Sequence, residues 1–322
     1  MIGFLGPKVY AALNGTEFPK GVQLAENLLE HGIVDAVVPS CELRPTVLRI
    51  LEHLDGPLPS AGQARSSDPI ANGPDAWECI TTTRSPDRPG LRALLNRCSS
   101  AFVLGGPDRT LATDSTLLAI ARVGGHACVV FGHDREAQQQ GYPPGPTALR
   151  RAQRAMQLAR DLRLPLVTVI DTSGTELSVD AEQHGTAREI ANCLAAMATL
   201  DTPTVSVVLG QGCGGGALAL LPADRTVAAN HGWITPLPPE GASVILHGDP
   251  DLAPAVARQQ RITAMDLCDN GIVDCLVDDS GSQAEFVART LSSIEDQIQI
   301  VSSMGSDARR TARRRRWRIV TP

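Results

Sequence analysis

The chain has 322 residues, a net charge of −6, and 3% aromatic residues against plentiful Ala, Gly, Leu and Val. The length suits one or two domains, the acidic balance excludes a general nucleic-acid binder, and no stretch approaches the ~18 apolar residues a membrane span needs. The 8 cysteines show no CxxC or Cys/His ligand spacing, and the N-terminus lacks a signal-peptide pattern. They read as reduced, buried thiols of a cytoplasmic protein, not a disulfide frame or a zinc site.

In chain order, the pattern predicts a helix over 21–31, a strand over 33–38 and a helix over 42–53. Residues 55–75 are rich in Pro, Gly, Ser and Asp without periodicity, the composition of a linker. From Trp77 onward helices and apolar strands alternate. Helices are expected at 91–98, 114–123, 147–162, 180–200 and 217–221, and strands at 101–104, 126–131, 166–170 and 204–209. Continuous buried strands between helices mean an α/β fold with a mostly parallel sheet. The run Arg309–Arg318 reads as a solvated C-terminal tail or as an electrostatic dock for an acidic partner.

One phrase occurs twice. Residues 24–35 end in Gly-Ile-Val-Asp, as do residues 263–274, and Ala25, Leu28 and Gly32–Asp35 match Ala264, Leu267 and Gly271–Asp274 at one offset of 239. That offset is the size of a domain. The second copy follows a whole domain's worth of α/β pattern, whereas the first follows only 23 residues. The expectation is one complete domain preceded by the tail of a sister domain whose body is absent.

Two loops lie at carboxyl ends of apolar strands, where open α/β sheets place ligands. They are Asp171-Thr172-Ser173-Gly174 and Gly210-Gln211-Gly212-Cys213-Gly214-Gly215-Gly216-Ala217. Glycines opening into a helix let free N–H groups face a ligand, and such donors favour a developing oxyanion. A phosphate loop would need Gly-Lys-Ser/Thr, which is absent. The dinucleotide fingerprint and a turn that only packs helix on strand remain as alternatives. Cys213 reads as a small loop residue, and Ser173, His231 and Asp171 have nothing to fix them as a triad. His133 and His184 read as surface or supporting residues.

Further stretches carry a family resemblance. They are Ala76-Trp77 through Arg84-x-x-x-Arg88-Pro89, Phe131-Gly132-His133-Asp134, Gly145–Met156 running on to Ile170–Gly174, and Pro238-Pro239-Glu240-Gly241-Ala242-Ser243-Val244-Ile245-Leu246. Together they resemble the carboxyltransferase component of biotin-dependent acyl-CoA carboxylases, of the acetyl-CoA type with fusible β-like and α-like halves. Residues 2–54 resemble the end of the β-like half. Two departures stand out: the family's Pro-Gly-Ala-Tyr-Pro-Gly becomes Ser173–Ser178, and its Gly-Glu-Gly-Gly-Ser-Gly-Gly-Ala becomes Gly210–Ala217.

The resemblance implies a crotonase-like α/β fold. The division is then 1–54 as β-like remnant, 55–76 as linker, 77–300 as α-like domain and 301–322 as basic tail. It implies transfer of CO2 from carboxybiotin on a carrier protein to acetyl- or propionyl-CoA, giving malonyl-CoA in the acetyl case, for fatty-acid biosynthesis. No metal and no directly bound cofactor are implied. The implied partners are biotin carboxyl carrier protein or a biotin carboxylase subunit, acyl-CoA, and either a second copy or a β-like sister subunit. Gly216 and Ala217 would donate N–H groups to the biotin ureido oxygen, Gly215 would give clearance, Gly214 would belong to the same biotin-binding site, and Gly174 would form the facing wall. Little transfer is expected from the chain alone. The alternative is a non-catalytic carboxylase-like protein that binds carrier or sister subunits.

Overall fold

In a computed structural model of the chain, residues 16–17, 19–21, 24–30, 34–54, 73–105 and 115–317 are described. Eight strands form one sheet: β1 (Ser100–Leu104), β2 (Thr116–Val123), β3 (His126–His133), β4 (Leu166–Thr172), β5 (Thr204–Cys213), β6 (Arg225–Ala229), β7 (Trp233–Thr235) and β8 (Cys275–Val277). Their order is β1-β2-β3-β4-β5-β6-β8, with β7 paired to the far end of β5. The first three strands are antiparallel, and from β3 onward all pairings are parallel.

Residues 116–123 are therefore a strand, not part of the expected helix 114–123. The apolar run Leu117–Ala121 turns back through Gly124-Gly125 onto β3, and two glycines between apolar runs are a hairpin signal. The run is buried on both faces, so it lacks the alternation that marks a half-exposed strand.

Successive residues of the central strands feed two cores. Leu166, Ile170 and Val208 pack with Met156 and Met197 from the helices Pro146–Leu162 and Thr186–Thr199. Val167, Val169, Val205 and Val207 face the other way, against Leu91, Leu94, Phe286, Ile294 and Ile298. The result is a helix–sheet–helix sandwich. The expected helix 180–200 is two helices, Val179–Gln183 and Thr186–Thr199, separated around Gly185.

The first segment packs onto the antiparallel edge through the helix Ser40–Leu54, whose Thr46 is buried and whose Ile50 reaches the first core. The expected strand 33–38 is absent among the described residues 34–38, which run without regular structure. The linker lies outside the described residues up to 72. Asp75 already belongs to the fold, capping the helix Ala76–Thr83 by accepting the Trp77 N–H.

The described part of the basic tail packs onto the fold. Residues Ser306–Arg316 form a helix whose Arg309 and Arg313 are buried. Arg313 ion-pairs with Asp224 at 2.8 Å and donates to the carbonyls of Met197 and Leu200, while Arg309 donates to the Asp201 carbonyl at 2.6 Å. Arg316 pairs with Asp274 at 2.7 Å. These guanidiniums bind carbonyls at the ends of neighbouring elements that would otherwise lack partners.

Candidate active site

Both candidate loops lie together at the carboxyl ends of β4 and β5. The strands run further than their apolar stretches. β4 continues through Asp171 and Thr172, and β5 through Gly210–Cys213, with a register shift between Ile170 and Thr172. Asp171 sits at that shift, almost fully buried. Its carboxylate accepts from Arg135 Nη1 at 3.1 Å and from the Gln211 N–H at 3.1 Å. Burial pushes the Asp171 carboxyl above its ordinary value, against the lowering effect of the Arg135 charge. Arg135 also donates to the carbonyls of Thr83 and Ser85, so one guanidinium ties the opening segment to the strand ends. Arg84 pairs with Glu240 at 2.7 Å, bringing the Pro238–Leu246 motif to the same segment.

The glycine-rich run enters the helix Gly214–Leu220 directly from β5. Gly214 makes that turn at φ +77°, a conformation that side chains with a β-carbon resist. A β-carbon on Gly215 would strike Ile190 of the helix below. The far end of this helix is pinned from inside the sheet: Ser206 donates its hydroxyl to the Leu220 carbonyl at 2.6 Å, and Thr168 donates its own to Ser206 Oγ at 2.8 Å. Buried polar groups satisfied in this way fix geometry.

A helix starting at Gly214 leaves without intrahelical partners the N–H groups of Cys213, Gly214, Gly215 and Gly216. Gly216, expected to donate with Ala217, is the last of these, and Ala217 follows within the helix. From the other loop, the Cα of Gly174 lies 3.7 Å from the point a Gly214 β-carbon would occupy. The loop also brings a residue that sequence reasoning missed. Thr175 Oγ1 accepts the Gly216 N–H at 2.8 Å. The departure at Ser173–Ser178 was the available signal, but only the fold shows which hydroxyl reaches the helix. His133, read as a surface or supporting residue, is buried and reaches this helix start, with Nε2 3.9 Å from the Gly216 β-carbon position.

The nucleophile candidates separate. The Cys213 thiol is fully buried, and burial pushes it up to about 12, so it stays protonated at neutral pH. His231 pairs with Asp279 at 2.8 Å and not with Asp171, and Arg88 binds the same Asp279 at 2.6 Å. The Asp279 hydrogen bond raises the His231 pKa. Among the described residues no cluster of His, Cys, Asp and Glu could hold a metal, and no helix is long and apolar enough to cross a membrane.

With this geometry in hand, comparison with known proteins is decisive for family. Residues 63–321 match the family model for acetyl co-enzyme A carboxylase carboxyltransferase-like proteins. The chain belongs to this family. It is 47% identical, over 99% of its length and 65% of the relative's, to a probable biotin-dependent acyl-coenzyme A carboxylase beta3 subunit of Mycobacterium bovis. It is 37% identical, over 98% of its length and 58% of the relative's, to the acetyl-coenzyme A carboxylase carboxyl transferase subunits beta/alpha of Saccharopolyspora erythraea. The solved structure of transcarboxylase 12S, with methylmalonyl-coenzyme A bound, superposes with a TM-score of 0.70 at 18% identity, covering 94% of this chain and 59% of that one. The fold is thus the crotonase-like fold of the carboxyltransferases, and the chain spans between 58% and 65% of the length of these relatives.

Proposed function

We propose that this carboxyltransferase-family chain forms the biotin side of a biotin-dependent acyl-CoA carboxyltransferase. The observation that carries the reading is the helix start Gly214–Gly216, set at the carboxyl end of the central strand and faced by Gly174 and Thr175. Carboxybiotin, delivered on a carrier protein, yields CO2 beside an acyl-CoA, and an oxyanion develops on the biotin ureido oxygen. Backbone N–H groups from Gly215 and Gly216 meet that oxygen, and Gly214 gives clearance. The CO2 passes to the α-carbon of an acetyl- or propionyl-CoA thioester, in the acetyl case giving malonyl-CoA for fatty-acid biosynthesis. The thioester enolate needs a second oxyanion site, which a β-like sister domain supplies. Partners are therefore the biotin carrier or biotin carboxylase subunit, together with a second copy or a β-like subunit.

Assembly in this reading uses exposed apolar side chains. The helices Pro146–Leu162 and Thr186–Thr199 turn their apolar stripes to the sheet. Ile245 and Leu246 on the helix Pro239–His247, and Leu43, Val47 and Leu51 on the helix Ser40–Leu54, are among the large apolar side chains exposed among the described residues, with Leu177 and Val179 the most exposed.

One observation favours the non-catalytic alternative: the Thr175 hydroxyl already takes the Gly216 N–H. A complementation assay separates the two readings. The chain is mixed with a β-like polypeptide, and transfer between malonyl-CoA and biocytin is measured. Activity is expected in the mixture, with Gly216→Pro, which deletes one N–H, lowering it about 10²–10³-fold. Absence of transfer in a mixture shown to have assembled would favour the binding protein, and an unaffected Gly216→Pro would reduce the glycine run to a packing turn.

A further inference from the structure

His133 closes β3 and is 2% exposed. Its Nδ1 accepts the backbone N–H of Asp171 on β4 at 3.3 Å. A backbone N–H only donates, so Nδ1 is unprotonated and the ring proton sits on Nε2. Burial lowers the ring's pKa to about 4, so the imidazole stays neutral through the physiological range. Nε2 is aimed at the glycine helix. It lies 3.9 Å from the point where a Gly216 β-carbon would be, beside Thr175 Oγ1 at 3.0 Å from the same point. The Asp171 bond to Nδ1 is the hydrogen bond this ring makes among the described residues, and none is made by Nε2.

With Nδ1 occupied by the Asp171 N–H, the ring presents its one donor, Nε2–H, to the space beside Gly216. We propose that His133 is a catalytic residue of the glycine site, its Nε2–H donating to the ligand oxygen beside the backbone N–H groups of Gly215 and Gly216. The inference rests on the biotin-side reading given above. The ring gives up no proton in this role. Nδ1 is held by Asp171 and Nε2 keeps its hydrogen, so His133 supplies a fixed neutral donor to an oxygen that gains negative charge. Such a donor strengthens as charge develops and needs no reorganisation at that moment. The residue also explains why β3 ends beside the loop Thr172–Ser178: the Asp171 N–H that orients the ring comes from the strand that leads into that loop.

The test is nuclear magnetic resonance on the full chain labelled with 15N-histidine and 15N-glycine, titrated with biocytin. A long-range nitrogen–proton correlation should show the His133 ring neutral and protonated on Nε2 at pH 7. Biocytin should shift both that Nε2 signal and the Gly216 amide. A shift of the Gly216 amide with an unmoved His133 would leave the biotin reading standing and overturn the role of His133. If saturating biocytin moves neither, the biotin reading fails and takes this inference with it. In the complemented transfer assay, His133→Phe should lower kcat on the order of 10²-fold with KM for malonyl-CoA held. His133→Gln, whose amide reaches a similar point with a donor, should recover most of that loss. Full activity in His133→Phe would overturn the proposal. If the Phe variant does not fold, the labelled wild-type titration decides alone.

Discussion

The two copies of the Gly-Ile-Val-Asp phrase begin alike and end differently. Each opens with a six-residue helix, Ala25–Glu30 and Ala264–Asp269, at the same offset of 239. After that the second copy becomes part of the sheet. Thr263 and Asp266 form a reciprocal capping box, and Asp274 accepts the Thr226 N–H at 2.7 Å while pairing with Arg225 and Arg316. Cys275–Val277 then pairs with β6. In the first copy the position of Thr263 is held by Leu24, whose side chain offers no oxygen to cap with. Asp35 pairs with the half-exposed Arg154, its backbone carbonyl accepts the Gly105 N–H, and residues 36–39 form no strand. The same phrase thus encodes the helix locally in both places, whereas the strand is a property of the neighbour it meets. β6 is there for the second copy, and no strand pairs with the described residues of the first.

The largest effect that would sharpen this contrast is removal of residues 304–322. The helix Ser306–Arg316 locks only the second copy, through Arg316 to Asp274 and to the Ile272 carbonyl. Truncation also strips Arg309 and Arg313 from carbonyls of the preceding segment, and takes from Asp224 its Arg313 partner. Breaking even one buried pair from one side costs about 3–5 kcal/mol, so a loss above about 5 kcal/mol is expected in urea unfolding. Hydrogen exchange should accelerate first at β8 and the helix Ala264–Asp269, with the helix Ser40–Leu54 little changed. An unaltered unfolding midpoint would return the basic segment to the solvated tail that its charge suggests.

That segment shows where the sequence was readable and where it was not. Strands β1, β3, β4 and β5 and the helix Pro146–Leu162 follow from apolar runs and periodicity, because each is decided by its own residues. β2 was lost to its own ambiguity: an Asp-Ser-Thr start resembles a helix cap, and a strand buried on both faces has no alternating pattern. The arginines of the last helix count as charge in a sequence. Only the fold reveals the carbonyls of Met197, Leu200 and Asp201 waiting for them. The candidate site divides in the same way. Glycine runs at strand ends marked Gly174 and Gly214–Gly216, since position along a strand is local. Thr175 and His133 reach Gly216 from segments more than 40 residues away in the chain, and no pattern near either residue signals it.

A pair of single substitutions gives the next effect in size. Asp274→Ala leaves Arg225, Arg316 and the Thr226 N–H without their carboxylate, all largely out of solvent. A destabilisation of about 3 kcal/mol is expected. Asp35→Ala removes an ion pair whose partners are 35% and 43% exposed, and should cost at most about 1 kcal/mol. Equal losses in the two variants, measured by urea unfolding at one pH and salt concentration, would mean that the first copy is held as firmly as the second.

The smallest effect tests the one local difference between the helices. Thr263 Oγ1 accepts the Asp266 N–H at 3.1 Å, and the Asp266 carboxylate accepts the Thr263 N–H and hydroxyl in return. Thr263→Ala removes the side-chain half of that box and should cost about 1 kcal/mol. In the first copy Leu24 precedes the helix and is half exposed, so replacing it loses little burial. Leu24→Thr offers the oxygen that position lacks, and should stabilise the helix Ala25–Glu30 by roughly 0.5–1 kcal/mol. The reading is local: amide exchange at residues 27–30 should slow a few-fold, while the global unfolding midpoint moves little, because this helix is not part of the sheet's cooperative core. Slower exchange there with no change in β8 would confirm that the helices are governed by their caps and the strands by their neighbours. Unchanged exchange at 27–30 would mean that the cap is not what separates the two helices, and the contrast would rest on the sheet alone.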